Sequence, residues 1–147
     1  MENRPFSILL IDDNDDHAEL VIRSLTKHPM ASTIYHVTDG NMALEHLSIK
    51  NGNSAEELKE RPDLILLDLR LPKIDGLEVL RKIKSTPETQ AIPTVVLTTS
   101  QAPQDIMRAY QLHANGYMVK PLEYSLFSEL MIKMADYWMK CNVGIPR

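Results

Sequence analysis

Short apolar runs alternate with stretches whose apolar positions recur every three to four residues, and the alternation repeats five times along the chain. The first run, residues 6–11, breaks at Asp12 and Asp13. Asn14 then stands where a helix cap belongs, ahead of Ala18, Val21, Ile22 and Leu25 at i, i+3, i+4 and i+7, and Pro29 stops that helix. Residues 33–37 predict a second strand, with an Asp39–Gly40 turn leading into a helix that carries Ala43, Leu44 and Leu47. The third run, residues 64–67, is apolar at every position, as a parallel strand covered on both faces must be, and it ends at Asp68. A loop with Pro72 and Gly76 follows, then a helix with Val79, Leu80 and Ile83. Residues 94–97 end in Thr98, Thr99 and Ser100, and Ile106, Ala109 and Tyr110 mark the next helix, closed by Asn115–Gly116. Residues 117–119 predict the fifth strand, ending at Lys120–Pro121. The last helix puts Phe127, Leu130, Met131, Met134 and Trp138 on one face.

Strands and helices in strict alternation predict an α/β fold, a doubly wound five-stranded parallel sheet with five helices and right-handed crossovers. Residues 50–62 have no clear period and read as a polar surface loop with a helical turn at 55–59. No repeat, linker or second domain is visible. The composition, 44% apolar and 24% charged in 147 residues, fits one globular domain and excludes disordered or collagen-like classes. A net charge of −4 speaks against a nucleic-acid or anionic-membrane partner. The apolar runs fall far short of the roughly 20 residues a bilayer span needs, and the first residues lack a secretory pattern. A single cysteine, Cys141, excludes an internal disulfide and suits a reducing, cytoplasmic setting.

The chemistry collects where strands stop. Asp12 and Asp13, Asp68, Thr98 and Lys120 each follow a different strand, and open α/β sheets bind ligands outside the carboxyl ends of their strands. Three converging carboxylates call for a hard cation, and Mg²⁺ with its oxygen ligands suits them. A lysine ammonium and a threonine hydroxyl opposite complete a site for a phosphoryl group, with a carboxylate available as its acceptor. Taken singly, such carboxylates are often only helix caps. Asp39–Gly40 and Asp75–Gly76 are expected to be turn chemistry of that kind.

Asp12–Asp13 behind residues 8–11, Asp68 followed by Pro72, Asp75 and Gly76, Pro93 to Thr98, and Gly116 to Lys120–Pro121 resemble the receiver domain of two-component response regulators. The resemblance runs over about residues 6–136, in order, and leaves 137–147 as an extension too short for an output domain, which needs about 40 residues to fold. It implies Asp68 as the phosphoacceptor, and Mg²⁺ on Asp13, Asp68 and the backbone carbonyl of Arg70, with Asp12 acting through water. It implies a phosphoryl contact for Thr98 and Lys120, a cis bond between Lys120 and Pro121, and a switch in which Tyr117 turns inward as Thr98 moves. Arg70 and Ser100 take the positions that tune dephosphorylation, and Thr99 replaces the usual small residue and is expected to narrow access to the pocket.

The polar insertion at 51–61, Leu97 to Ser100 and the aromatic tail Tyr137–Trp138 are similar to the small response regulators of cyanobacterial phytochromes. That likeness implies a phytochrome histidine kinase as donor. As a receiver alone the chain is expected to signal without a covalent output domain, by docking to or passing phosphate to a downstream phosphotransfer protein or regulator, or by changing oligomeric state. The receiver resemblance implies that the signal leaves through the face of the fourth helix, fifth strand and fifth helix, residues 104–112, 117 and 124–138, where a homodimer is expected. Three other readings stand beside it. A phosphatase with an aspartyl intermediate lacks its second acid, because Arg70 holds that position. A nucleotide or flavin site lacks a glycine-rich cradle and would present carboxylates to an anion. A pseudo-receiver that binds partners without taking phosphate remains open through Arg70 and Thr99. The five histidines are expected to be surface or packing residues, with His17 nearest the pocket. Trp138 is expected either in the core stripe or at a subunit interface.

Overall fold

The computed structural model describes residues 4–30, 32–49 and 61–146, so most of the expected surface loop at 50–62 lies outside the described residues. The elements run β1 (Phe6–Ile11), α1 (Asp15–Thr26), β2 (Ser32–Val37), α2 (Gly40–His46), β3 (Leu64–Leu67), α3 (Gly76–Ser85), β4 (Thr94–Thr98), α4 (Pro103–Gln111), β5 (Gly116–Val119) and α5 (Tyr124–Ala135). The strands form one parallel sheet in the order β2-β1-β3-β4-β5. β1 thus lies between β2 and β3, and the connections leave it in opposite directions, which opens a crevice at the carboxyl ends of β1 and β3.

The period of two along each strand sorts its side chains between two cores. Leu9, Ile11, Ile65, Leu67 and Val96 pack with α2, α3 and Ala109 of α4. Ile8, Leu10, Leu64, Leu66, Val95 and Leu97 pack with α1 and α5. Burial on both sides explains why β1, β3 and β4 read as unbroken apolar runs.

Local signals set the helix starts next to the crevice. Asn14 Oδ1 accepts from the His17 N–H at 3.0 Å and Asp39 Oδ1 from the Met42 N–H at 2.8 Å, so both act as N-caps. Gly76 is required by close approach: a Cβ there would lie 2.4 Å from the Asp68 carbonyl oxygen and 2.5 Å from Leu69 Cα.

Two expectations for the later helices are corrected. Tyr110 is 52% exposed and Ala109 alone is buried on α4, because this nine-residue helix touches the core along a narrow line. Beyond α5 the coil widens into a π-helical segment, Asp136–Cys141, so Met139 enters the core while Trp138 packs on its edge. Trp138 therefore belongs with the α1–α5 core, where Tyr137 meets it edge-on at 5.0 Å. No helix among the described residues is long and apolar enough to cross a membrane.

Candidate functional site

Register brings the polar strand ends together. Ile11 pairs with Leu67, so Asp12 and Asp68 leave adjacent strands at one level, and the Asp68 N–H donates to Ile11 O at 2.9 Å. Thr98 pairs with Val119, and the Lys120 N–H donates to Thr98 O at 2.7 Å. Continuing each strand's alternation, Asp12, Asp68 and Lys120 fall on the α1–α5 side with Leu10, Leu66 and Met118.

There Lys120 Nζ donates to Asp12 Oδ2 at 2.7 Å and to Asp68 Oδ2 at 2.8 Å, with the three side chains between 1% and 8% exposed. A third contact reaches His17 Nδ1 at 3.1 Å, and the His17 ring leans on Phe127. The remaining carboxylate oxygens take backbone donors: Asp12 Oδ1 from Asn14 N–H at 2.9 Å and Asp68 Oδ1 from Arg70 N–H at 3.2 Å. Asp13 is exposed at the rim, and the ligating atoms of Asp12, Asp13 and Asp68 lie within 4.8 Å of one another. One ammonium among three carboxylates leaves the cluster negative, and oxygen donors at this spacing suit a hard divalent cation. Burial holds the Asp12 carboxyl above its ordinary pKa, while the Lys120 charge and hydrogen bond oppose the shift.

Thr98 is fully buried but continues the opposite alternation, on the α4 side with Val96. Its hydroxyl accepts from the Ser100 N–H at 3.4 Å and makes no hydrogen bond to Asp68 or Lys120 among the described residues. Tyr117 shares that side: its hydroxyl donates to Ser100 O at 3.0 Å, and burial pushes its pKa up against that bond. Arg70 does not reach inward; its guanidinium pairs with Asp105 at 2.9 Å. Thr99 is exposed and lines a groove of about 350 Å³ with His17, Pro121, Leu122, Tyr124 and Phe127.

The expected cis bond is corrected: Lys120–Pro121 is trans, as are all other peptide bonds among the described residues. Trans is the lower-energy form of an X–Pro bond by about 0.5–1 kcal/mol, and Lys120 makes its backbone and ammonium contacts without departing from it. Two histidines also do more than the sequence suggested, His17 through Lys120 and His36, whose Nε2 lies 2.8 Å from the backbone carbonyl of Asp12.

Comparison with known proteins decides what carries this arrangement. The family model described as the response regulator receiver domain matches residues 8–131. The chain belongs to the response regulator receiver family. It is 41% identical over 138 residues to the probable methanogenesis regulatory protein FilR2 of Methanothrix harundinacea, covering 94% of this chain and 86% of that protein. It is 36% identical over 144 residues to response regulator Rcp1 of Synechocystis sp., covering 98% and 95%. A crystal structure of the phosphorylated cyanobacterial phytochrome response regulator RcpA superposes with a TM-score of 0.89 at 34% identity, over 97% of this chain and all of that one. The Mn(2+)-bound form of response regulator Rcp1 superposes at 0.87 and 33%, with the same coverage. This receiver is therefore related to phytochrome response regulators, and its five-stranded parallel sheet is the CheY-like receiver fold.

Proposed function

We propose that this receiver is a stand-alone response regulator that accepts a phosphoryl group on Asp68 from a histidine kinase, in a Mg²⁺-dependent reaction, and signals through protein–protein contacts. The observation that carries this is the Lys120 ammonium held between two buried carboxylates with Asp13 beside them. Asp12, Asp13, Asp68 and the backbone carbonyl of Arg70 are the groups that would hold Mg²⁺. When bound, the ion neutralises these carboxylates against the incoming phosphoryl oxygens.

An Asp68 oxygen then forms a bond to phosphorus as the bond to the kinase imidazole nitrogen breaks, and the leaving imidazole keeps the electron pair. Lys120 exchanges part of its contact with Asp12 and Asp68 for a phosphoryl oxygen. The Thr98 hydroxyl, poorly held at 3.4 Å by Ser100, turns to another, and Tyr117 follows on the same side of the sheet.

The likeness to RcpA and Rcp1 supports a phytochrome as the kinase, and a phosphotransfer protein or regulator as recipient. The receiver core would span about residues 6–136, with 137–147 an extension, in a cytoplasmic setting. The α4-β5-α5 face presents exposed Met107, Tyr110, Tyr124 and Ile132, which supports a homodimer there. Sedimentation with and without a phosphoryl analogue tests the dimer; monomer under both conditions contradicts it. Beryllofluoride with Mg²⁺, followed by amide NMR, tests the site. The expected shifts centre on Asp68, Thr98, Tyr117 and Lys120, and shifts absent there contradict the reading.

A further inference from the structure

Arg70 and Ser100 leave different strands, yet both end on one carboxylate. Asp105 Oδ2 accepts from the Arg70 guanidinium at 2.9 Å and from the Ser100 hydroxyl at 2.6 Å. Asp105 sits in the first turn of α4, 15% exposed, and its own N–H donates to Ala102 O at 3.0 Å. The Ala102 N–H in turn donates to Ser100 Oγ at 3.3 Å, and the Tyr117 hydroxyl donates to Ser100 O at 3.0 Å. At its other end the strap is fixed to the acceptor, through the Arg70 N–H on Asp68 Oδ1. The β3–α3 loop, the β4–α4 loop, α4 and β5 are thus joined beside Asp68 through Asp105.

We propose that Asp105 is a positioning residue that holds Arg70 and Ser100 at the mouth of the Asp68 pocket and so lengthens the life of the acyl phosphate. The proposal rests on Asp68 being the phosphoacceptor. In hydrolysis a water oxygen bonds to phosphorus while the bond to the Asp68 oxygen breaks. The carboxylate keeps the electron pair, the water's proton passes to solvent, and inorganic phosphate leaves. Attack is in line, so the water must stand opposite Asp68, on the open side of the pocket. Lys120 and Asp12 fill the buried side, and the Arg70 N–H, just beyond β3, holds the other Asp68 oxygen. Asp105 holds the guanidinium on the rim beside Asp68 instead of leaving it free in solvent, which narrows the approach, and the guanidinium, having no acceptor atom, cannot take the water's proton. The Ser100 hydroxyl is committed to Asp105.

The test is the rate of phosphoryl loss. Wild type, Asp105→Asn, Asp105→Glu, Arg70→Ala and the Arg70→Ala/Asp105→Asn double variant are loaded with a small acyl phosphate and Mg²⁺, freed of donor, and followed by intact mass. Asp105→Asn and Arg70→Ala are each expected to lose phosphate roughly three- to fivefold faster, the span a part-exposed ion pair can supply. The double variant should be no faster than either single variant, and Asp105→Glu should recover most of the lifetime. In the metal-free protein, the Arg70 Nη–H resonances should move to the free-arginine position in Asp105→Asn. An unchanged lifetime in Asp105→Asn, or rate effects that multiply in the double variant, overturns the proposal. Arg70→Ala alters a side chain 63% exposed and decides the matter if Asp105→Asn does not fold. No adduct even in wild type overturns the phosphoacceptor reading itself, whereas an adduct with unchanged lifetimes overturns only the role of Asp105.

Discussion

Lys120 and Asp68 form an ion pair of 2.8 Å whose ammonium is shared with Asp12, inside a pocket that solvent barely reaches. Paired charges this deep are costly to separate, because the partner left behind keeps its desolvation penalty. Lys120→Met should therefore destabilise the metal-free receiver by about 3–5 kcal/mol at neutral pH in urea unfolding. Without the ammonium, Asp12 loses the charge and hydrogen bond that oppose its upward shift by burial, and its carboxyl binds a proton more tightly folded than unfolded. Stability of the variant then falls as pH rises through the raised Asp12 pKa, and its deficit should shrink on acidification. A deficit that is small, or independent of pH, contradicts the electrostatic account.

Asp13 adds charge to this cluster without sharing its lysine contact. Asp13→Asn should raise the stability of the metal-free protein by up to about 1 kcal/mol through relief of repulsion. It should also remove the stabilisation that Mg²⁺ confers on wild type, about 2.7 kcal/mol at a hundredfold excess over Kd. Thermal melts with and without Mg²⁺ read both effects. Equal Mg²⁺ stabilisation in the two proteins would show that Asp13 is not a ligand.

Asp12 sets the pH dependence of the same site. Its folded pKa lies above the ordinary value because of burial, so across that window the native state holds a proton that the unfolded chain has lost. Stability contributed by the protonated form is present at low pH and lost as pH rises through the folded pKa. A cation needs the ionised carboxylate, so Mg²⁺ binding should release protons and weaken on acidification. Calorimetry in two buffers of different ionisation enthalpy, repeated toward acidic pH, measures the release; none at any pH would count against the assignment.

The apolar runs were legible because β1, β3 and β4 are buried on both faces, and such strands can carry polar side chains only where they end. Asp12, Asp68 and Lys120 could be placed for that reason. Thr98 was found at its strand end as well, although its alternation sets it on the α4 side, across from the ammonium. Asp105, His17 and His36 were missed as site residues. Their partners, Arg70, Lys120 and Asp12, lie 35, 103 and 24 residues away, and no local period encodes such contacts. The trade of Trp138 for Met139 was hidden too, because the stripe assumed α-helical spacing through a segment that widens.

Gly76 links the fold to the acceptor. A methyl group there would collide with the backbone of Asp68 and Leu69, and backbone cannot swing aside as a flexible side chain can. Gly76→Ala should cost about 1–3 kcal/mol and displace Asp68, lowering its yield of phosphoryl adduct. Wild-type yield in a folded Gly76→Ala protein would show that the loop adjusts without moving the acceptor.

Lys84 is a control remote from the site. Its ammonium donates to Gln90 O, Ile92 O and Asn115 Oδ1 at 2.8–2.9 Å, all neutral acceptors, and burial lowers its pKa to about 8. Between about pH 8 and the unfolded value of 10.5 the native state has lost a proton that the unfolded chain keeps, so wild-type stability should gain from this group as pH rises. Lys84→Met should abolish that gain and leave phosphorylation intact. A variant that loses phosphorylation while folded would contradict the separation of the two ends of the sheet.

Central to the account is that Asp68 takes the phosphoryl group. Wild type and Asp68→Asn are incubated with Mg²⁺ and a small acyl phosphate, and their intact masses are compared. The account predicts one phosphoryl adduct on wild type, absent from Asp68→Asn and absent when the metal is chelated. An adduct that persists in Asp68→Asn, or none on wild type, would contradict it.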